Sequence, residues 1–316
     1  MTAATPPLIR LNEATRRFGR FTALDRVSLD IPAGEFLALV GHNGAGKSTL
    51  FKLLLGLLPA SDGEVDVMGS DPSGPKAAAL RRKIGFLPEN VIFAGNLTGQ
   101  EMLRFFARLK GAPSAECANL LKTVGLWDAR NKRVRTYSKG MRQRLGLAQM
   151  LLGDARLLIL DEPTTGLDPE SRRHFFELLD ERRANGTTIL LSSHSLAEVE
   201  DHASRIAMLK SGALVACGTM DALQRQSGLP VRICLDPATD IDLEAIFGGM
   251  ATVVRFNGSR VELHCDRDKQ AGVISLVSST MQGPVDIRPP RLDDIYHHFQ
   301  TSSPVTEPEA ERRANS

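Results

Sequence analysis

The stretch Gly41-His42-Asn43-Gly44-Ala45-Gly46-Lys47-Ser48-Thr49 constrains this chain more than any other. It has the spacing G-x-x-x-x-G-K-S, follows the apolar run Phe36–Val40 and precedes the leucine-rich run Leu50 to Leu58. Strand, glycine loop and helix in that order form a loop whose backbone N–H groups cradle phosphate oxygens. The glycines omit the Cβ atoms that would keep the phosphates away. The helix that follows turns its positive dipole end toward the same anion. Lys47 is then placed to reach the β- and γ-phosphates, and the Ser48 hydroxyl to bind Mg²⁺. A glycine-rich turn that matches by accident is the competing reading, and a complete match between a strand and a helix argues against it. Residues 41–49 read as a nucleotide site of the P-loop kind.

A second motif answers the first. Leu157-Leu158-Ile159-Leu160-Asp161-Glu162-Pro163 is an apolar run that ends in two carboxylates. Such a run predicts a central parallel strand covered on both faces. Open α/β sheets bind ligands at the C-terminal ends of their strands. Asp161 there suits a hold on Mg²⁺ through water, and Glu162 suits acceptance of a proton from water attacking the γ-phosphate. An Asp-Glu pair after an apolar run also marks many helix starts, but the P-loop in the same chain favours the catalytic reading. Thr187 to Ser193 predicts one more buried strand, with His194 just past its end. A neutral imidazole there can hydrogen-bond a γ-phosphate; a capping or core histidine is the alternative.

At 316 residues the chain has room for one large domain and a smaller one. Its 42% apolar content supports a real core, and a net charge of +2 is too small to make nucleic acid the main partner. No uninterrupted apolar run of about 18 residues is present to span a bilayer. The N-terminus, Met1 to Pro7, lacks the basic and apolar regions of a signal peptide. Cys117, Cys217, Cys234 and Cys265 form no pair motif, which beside a nucleotide site fits reduced thiols in the cytoplasm.

Residues 8–31 alternate apolar and polar, as half-buried strands do. Phe18 falls in a loop between them, 23 positions before Gly41, where it can stack on an adenine ring or serve as a core residue. Residues 77–83 predict a helix, and Ile84 to Leu87 a buried strand stopped by Pro88. Thr98-Gly99-Gln100-Glu101 resembles a capping box, and the chain from Thr98 to Gln149 is largely helical in pattern. A helical subdomain over about residues 90–150 is therefore expected inside an α/β domain of residues 8–226.

In this order the pieces resemble an ATP-binding cassette (ABC) ATPase across roughly residues 8–226. Tyr137-Ser138-Lys139-Gly140-Met141-Arg142-Gln143 stands at the family's signature sequence, and Gly166-Leu167-Asp168-Pro169 resembles its D-loop. The resemblance implies ATP with Mg²⁺, Phe18 on adenine, Ser48 and Asp161 at the metal, Glu162 as general base and His194 as γ-phosphate switch. It also implies a head-to-tail homodimer in which Ser138 and Gly140 of one copy face the ATP held by Gly41–Thr49 of the other. Two departures stand out. Lys139 and Met141 replace a glycine and the glutamine of the signature, a lysine beside a phosphate being electrostatically tolerable. Glu89 stands where the Q-loop glutamine normally lies near Mg²⁺.

A narrower resemblance is to the NosF type of cassette, carried by His42, Leu87-Pro88-Glu89-Asn90-Val91, Phe106 to Ala112, Tyr137 to Gln149 and Gly228 to Ile233. Such cassettes serve the transporter that matures the copper sites of periplasmic nitrous-oxide reductase. That implies a NosY-like membrane permease, a NosD-like periplasmic partner, and a peripheral place on the cytoplasmic face of the bacterial inner membrane. The alternatives are the ATPase of an ABC-2-type exporter of drug, lipid or polysaccharide, and a soluble ABC-type ATPase acting on DNA or ribosomes. The last usually carries two cassettes or a coiled-coil insertion, and this sequence has no heptad run or basic stripe. The loop from Asn90 to Leu97 is the expected permease contact.

Past residue 228 the pattern changes. Val231–Leu235, Asp242–Phe247, Thr252–Phe256, Val261–Cys265, Asp268–Met281 and Val285–Arg288 follow as β-α-β-β-α-β, a ferredoxin-like α+β domain over residues 229–300. Asn257-Gly258 predicts a type I′ turn between the two middle strands. A last helix, Leu292 to Phe299, can dock on the cassette, and residues 301–316 have a disordered composition. Cys234 and His264 share a face of the two central strands, two ligands where a transition metal needs three or four. A regulatory or dimer-stabilising role suits this domain better.

Overall fold

The computed structural model describes residues 6–235, 242–256, 260–280 and 285–301. The Asn257-Gly258 turn and residues 302–316 of the tail lie outside them. The chain divides into two compact units that meet between Cys217 and Gly218, earlier than the expected boundary at 226.

The first unit opens with β1 (Ile9–Phe18) and β2 (Phe21–Ile31), an antiparallel pair, followed by β3 (Phe36–Val40), α1 (Lys47–Leu54) and β4 (Asp62–Val67). Next come α2 (Ala77–Arg82), β5 (Ile84–Leu87), α3 (Gly99–Lys110), α4 (Glu116–Thr123) and α5 (Lys139–Met150). Then follow β6 (Leu157–Asp161), α6 (Pro169–Ala184), β7 (Thr188–Ser192), α7 (Leu196–His202), β8 (Arg205–Lys210) and β9 (Ala213–Gly218), whose last residue crosses the boundary.

Two sheets build this unit. One is antiparallel, in the order β2-β1-β4; the other has six strands in the order β5-β6-β7-β3-β8-β9. In the larger sheet β5, β6, β7, β3 and β8 run parallel. The uninterrupted apolar runs predict this, because a strand sheltered on both faces has no use for alternation. All five residues of β3 and all five of β7 are buried. Parallel strands end together, so β3, β6 and β7 deliver Gly41, Asp161 and Ser192 to one edge of the sheet.

The helical stretch is held by local chemistry. Thr98 and Glu101 form a reciprocal capping box: the Thr98 hydroxyl accepts from Glu101 N–H, and the Glu101 carboxylate accepts from Thr98 N–H. Lys110, at the end of α3, donates to the carbonyls of Met150 (3.0 Å) and Leu152 (3.2 Å) where α5 finishes. Those carbonyls have no partner inside the helix, and burial pushes the Lys110 amine down to about 8. All four cysteines are free thiols. Among the described residues no helix is long and apolar enough to cross a membrane.

The second unit runs α8 (Met220–Ser227), β10 (Val231–Leu235), α9 (Leu243–Phe247), β11 (Thr252–Phe256), β12 (Arg260–Cys265), α10 (Gln270–Thr280), β13 (Val285–Arg288) and α11 (Leu292–Thr301). Its sheet is wholly antiparallel, in the order β11-β12-β10-β13. Val231, Ile233 and Leu235 join Leu243, Phe247, Leu263, Val273 and Val277 in its core. The helices α8 and α11 lie against each other. On the other face, Glu262 closes the suspected ligand cluster on itself, with Cys234 Sγ at 3.7 Å and His264 Nε2 at 3.2 Å. Among the described residues no group of three ligands suited to a metal ion occurs.

Candidate nucleotide site

A cavity of about 210 Å³ opens at the sheet edge where β3 and β6 end. Its walls are His42 to Thr49, Glu89, Asp161 and Glu162, with Phe21 and Ala23 on one side. Gly44 and Gly46 take φ of +85° and +109°, the left-handed region that glycine enters freely. A Cβ on Gly46 would also lie 2.7 Å from the Ala23 carbonyl oxygen, so no other residue fits there.

At the start of α1, Lys47 is buried, with 7% of its surface exposed. Its Nζ donates to the Gly41 carbonyl at 2.5 Å and stands 3.7 Å from Glu162 Oε1. The neighbouring Ser48 hydroxyl donates to Asp161 Oδ2 at 2.9 Å, across 113 residues of sequence. Asp161 Oδ1 accepts in turn from the Ser192 hydroxyl at 2.7 Å. Two hard oxygens at hydrogen-bond distance in a carboxylate-lined cavity are the donor set Mg²⁺ prefers. Glu89, exposed on the cavity wall, adds a third carboxylate.

Glu162 is held from several directions. Its φ is +49°, unusual for a residue with a Cβ, and its N–H donates to Ser192 Oγ at 3.0 Å. Its Oε2 accepts from His194 N–H at 3.1 Å and meets His194 Nδ1 at 2.6 Å. Glu162 therefore does not open a helix; α6 begins only at Pro169. The His194 side chain is 71% exposed and Ser195, not His194, stands at the N-cap position of the next helix, which excludes both a core and a capping histidine.

Phe18 is 45% exposed, so it is no core residue, and the Arg16 guanidinium lies 4.7 Å from its ring centre. The aromatic on the cavity wall is its cross-strand partner Phe21, which sequence reasoning missed, as it missed Ser192. Alternation along β2 was the available signal for Phe21, whereas Ser192 looked like an ordinary strand end.

The signature residues lie apart from this cavity. Ser138 caps α5, its hydroxyl accepting from Met141 N–H at 3.2 Å. Lys139 is exposed, and nothing within 4 Å would meet a Cβ on Gly140. The first turn of α5 holds no acidic residue, so its free N–H groups present an open anion-binding end. Asp168 caps α6 by accepting from Ser171 N–H and Oγ at 2.9 and 2.7 Å, which holds its carboxyl below the usual range. Gln143 Nε2 donates to the Pro163 carbonyl at 3.0 Å and ties α5 to the loop after Glu162.

The family model described as ABC transporter matches residues 24–165. The linearmycin resistance ATP-binding protein LnrL of Bacillus subtilis (strain 168) is 32% identical over 225 residues, covering 70% of this chain and 72% of that protein. The chain belongs to the ABC transporter family. ABC cassettes occur inside much larger proteins too: ATP-binding cassette sub-family A member 7 of Rattus norvegicus is 40% identical over 210 residues, and this chain spans 10% of its length. The solved dimer of the ATP-binding cassette MJ0796, in a post-hydrolysis state with ADP and Pi, superposes with a TM-score of 0.62 at 26% identity. That match covers 67% of this chain and 98% of the other. ABC ATPase domains bind ATP with Mg²⁺, and the cavity lined by His42–Thr49, Asp161 and Glu162 is the candidate site for them.

Proposed function

We propose that this chain hydrolyses MgATP and uses the energy to drive a membrane permease. The observation that carries the reading is Glu162, its carboxylate held by His194 and its backbone N–H by Ser192, beside Lys47 and the Ser48–Asp161 pair. Bound Mg²⁺ would supply charge neutralisation for the phosphates. The chain's own residues do the rest. The loop 41–49 orients the triphosphate, Lys47 neutralises its charge, and Glu162 accepts the proton of the attacking water.

One copy lacks a second wall for the γ-phosphate. The open end of α5, with Ser138, Lys139, Gly140 and Met141, supplies it from a partner in a head-to-tail homodimer, with Asp168 beside the seam. The dimeric cassette MJ0796 supports this assembly. Making the ATP sandwich closes the dimer, and hydrolysis releases it.

The permease contact is an apolar patch beside Glu89. Ile92 is 88% exposed, and Phe105 and Leu109 on α3 are 46% and 56% exposed. Phe93 and Phe105 both pack edge-on against Phe106. A large exposed apolar cluster marks an interaction site, which supports our reading of the chain as a peripheral subunit on the cytoplasmic face of a membrane. We read the second unit as a ferredoxin-like regulatory or dimer-stabilising domain, from its strand order and helix positions.

Two readings of the cargo have support. The residues shared with the NosF type favour maturation of the copper sites of nitrous-oxide reductase, with a NosY-like permease and a NosD-like periplasmic partner. Similarity to a linearmycin resistance protein favours an ABC-2-type exporter of drug, lipid or polysaccharide. Deleting the gene separates them: copper-poor nitrous-oxide reductase supports the first, and altered susceptibility to apolar antibiotics the second.

The ATPase itself is tested with Glu162→Gln. Turnover is expected to fall about 10²–10⁴-fold with ATP binding retained, since that is the range proton acceptance contributes. Unchanged turnover would remove Glu162 from its role.

A further inference from the structure

The second unit ends its sheet on a strand with an unusual edge. All four residues of β13, Val285-Asp286-Ile287-Arg288, are exposed, and no strand among the described residues pairs with its outer side. Val285 and Ile287 are 38% and 39% exposed, although Ile287 sits opposite Ile233, which is fully buried. Asp286 and Arg288 alternate with them on the other face, opposite Cys234 and Arg232. The other edge strand, β11, differs: Val253 packs against the core, and Thr252, Val253 and Val254 carry no charge.

From this edge we propose that two copies of the chain join through antiparallel β13–β13 pairing about a two-fold axis at Ile287. The register follows from elementary constraints. In an antiparallel pair, directly opposed residues share a face, so a symmetric pairing must be centred on a residue rather than between two. Centring on Asp286 opposes two aspartates, and centring on Arg288 opposes two arginines, both unfavourable, while centring on Val285 sets every other residue of β13 against a position outside the strand. Centring on Ile287 opposes Asp286 with the second copy's arginine twice and sets the two isoleucines against each other. The two four-stranded sheets become one of eight strands, and the cores meet across the isoleucines.

Native proteins do blunt sheet edges with short strands, charges and proline, and Pro289 and Pro290 follow β13. Blunting by charge works by repulsion between copies. The order acid-apolar-base instead attracts its own two-fold image, so the edge selects a second copy and excludes strands of other charge order. Within one copy Asp286 already meets Arg288 Nε at 2.7 Å, but both side chains are half exposed, 55% and 50%. They can turn to the partner at little cost.

The pairing involves no nucleotide and stands apart from the ATPase reading. It is tested on the nucleotide-free full-length chain by light scattering at micromolar concentration. Wild type is expected as a dimer; Asp286→Arg and Arg288→Asp are each expected as folded single chains with an unchanged far-ultraviolet circular dichroism spectrum. Each variant opposes four like charges to its own image, yet the two variants complement each other. An equimolar mixture of tagged Asp286→Arg with untagged Arg288→Asp is therefore expected to form a heterodimer that the tag retains. A change confined to the internal ion pair cannot produce that rescue. Single chains for wild type without nucleotide, or no retention in the mixture, would overturn the proposal.

Discussion

His194 brings its backbone N–H and its Nδ1 to the same oxygen of Glu162, at 3.1 and 2.6 Å. One residue thus holds the carboxylate we propose as proton acceptor by main chain and side chain together, and His194→Ala removes only the second contact. Turnover is expected to drop at least about tenfold, a portion of the 10²–10⁴ available to general base catalysis. ATP affinity should change little. Steady-state kinetics with a KM-against-kcat comparison checks this; a rise in KM alone would make His194 a binding residue.

Ser192 links the Asp161 carboxylate to the backbone of Glu162. Its hydroxyl donates to Asp161 and accepts from Glu162 N–H, in a residue with no exposed surface. Ser192→Ala leaves the Glu162 N–H with only the longer contact to the Ser192 carbonyl, at 3.2 Å. It also takes from the Asp161 carboxylate the hydroxyl it accepts from, and a hydrogen bond to a charged group is worth about 1.5–3 kcal/mol. Chemical denaturation should show that loss, and Mg²⁺ titration of the ATPase should show a higher requirement.

Gly99 and Tyr137 fix the approach to the signature. A Cβ on Gly99 would fall 2.2 Å from the Tyr137 hydroxyl, which donates to the Ala129 carbonyl at 2.8 Å. Gly99→Ala is expected to push Tyr137, and with it Ser138, out of place at a cost of about 1–3 kcal/mol. Fluorescent ATP binding by the P-loop should persist while ATPase turnover falls.

Lys110 makes a pH-dependent contribution. Burial lowers its amine from 10.5 to about 8, so between those values the unfolded chain binds a proton that the folded chain does not. Stability then rises with pH in that window and is flat below it. The melting temperature of wild type relative to Lys110→Met should climb from about pH 8 toward pH 10. A pH-independent difference would contradict the assignment.

The parts of the site visible in the sequence are those that lie within one turn of chain. Gly41 to Thr49 and Asp161-Glu162 need only their flanking apolar runs to be placed. The partnership of Ser48 with Asp161 depends on which parallel strands lie side by side, and that order, β6-β7-β3, is not written in either segment. Ser192 escaped notice for the same reason. Phe21 is not distinguishable from Phe18 by spacing, because the two face each other across the Gly19-Arg20 turn and only the tertiary fold decides which lines the cavity. The boundary between the units shifted toward the N-terminus because α8 packs with α11, a contact across more than sixty residues.

The central claim is that each ATP is held between the P-loop of one copy and the α5 end of another. Mixing two dead variants tests it most directly: Lys47→Ala, which spoils the P-loop, and Ser138→Arg, which spoils the signature. In a head-to-tail dimer the mixed pair has one intact composite site, so ATPase activity should return on mixing. Activity that stays absent in the mixture, with both variants folded, would contradict the account.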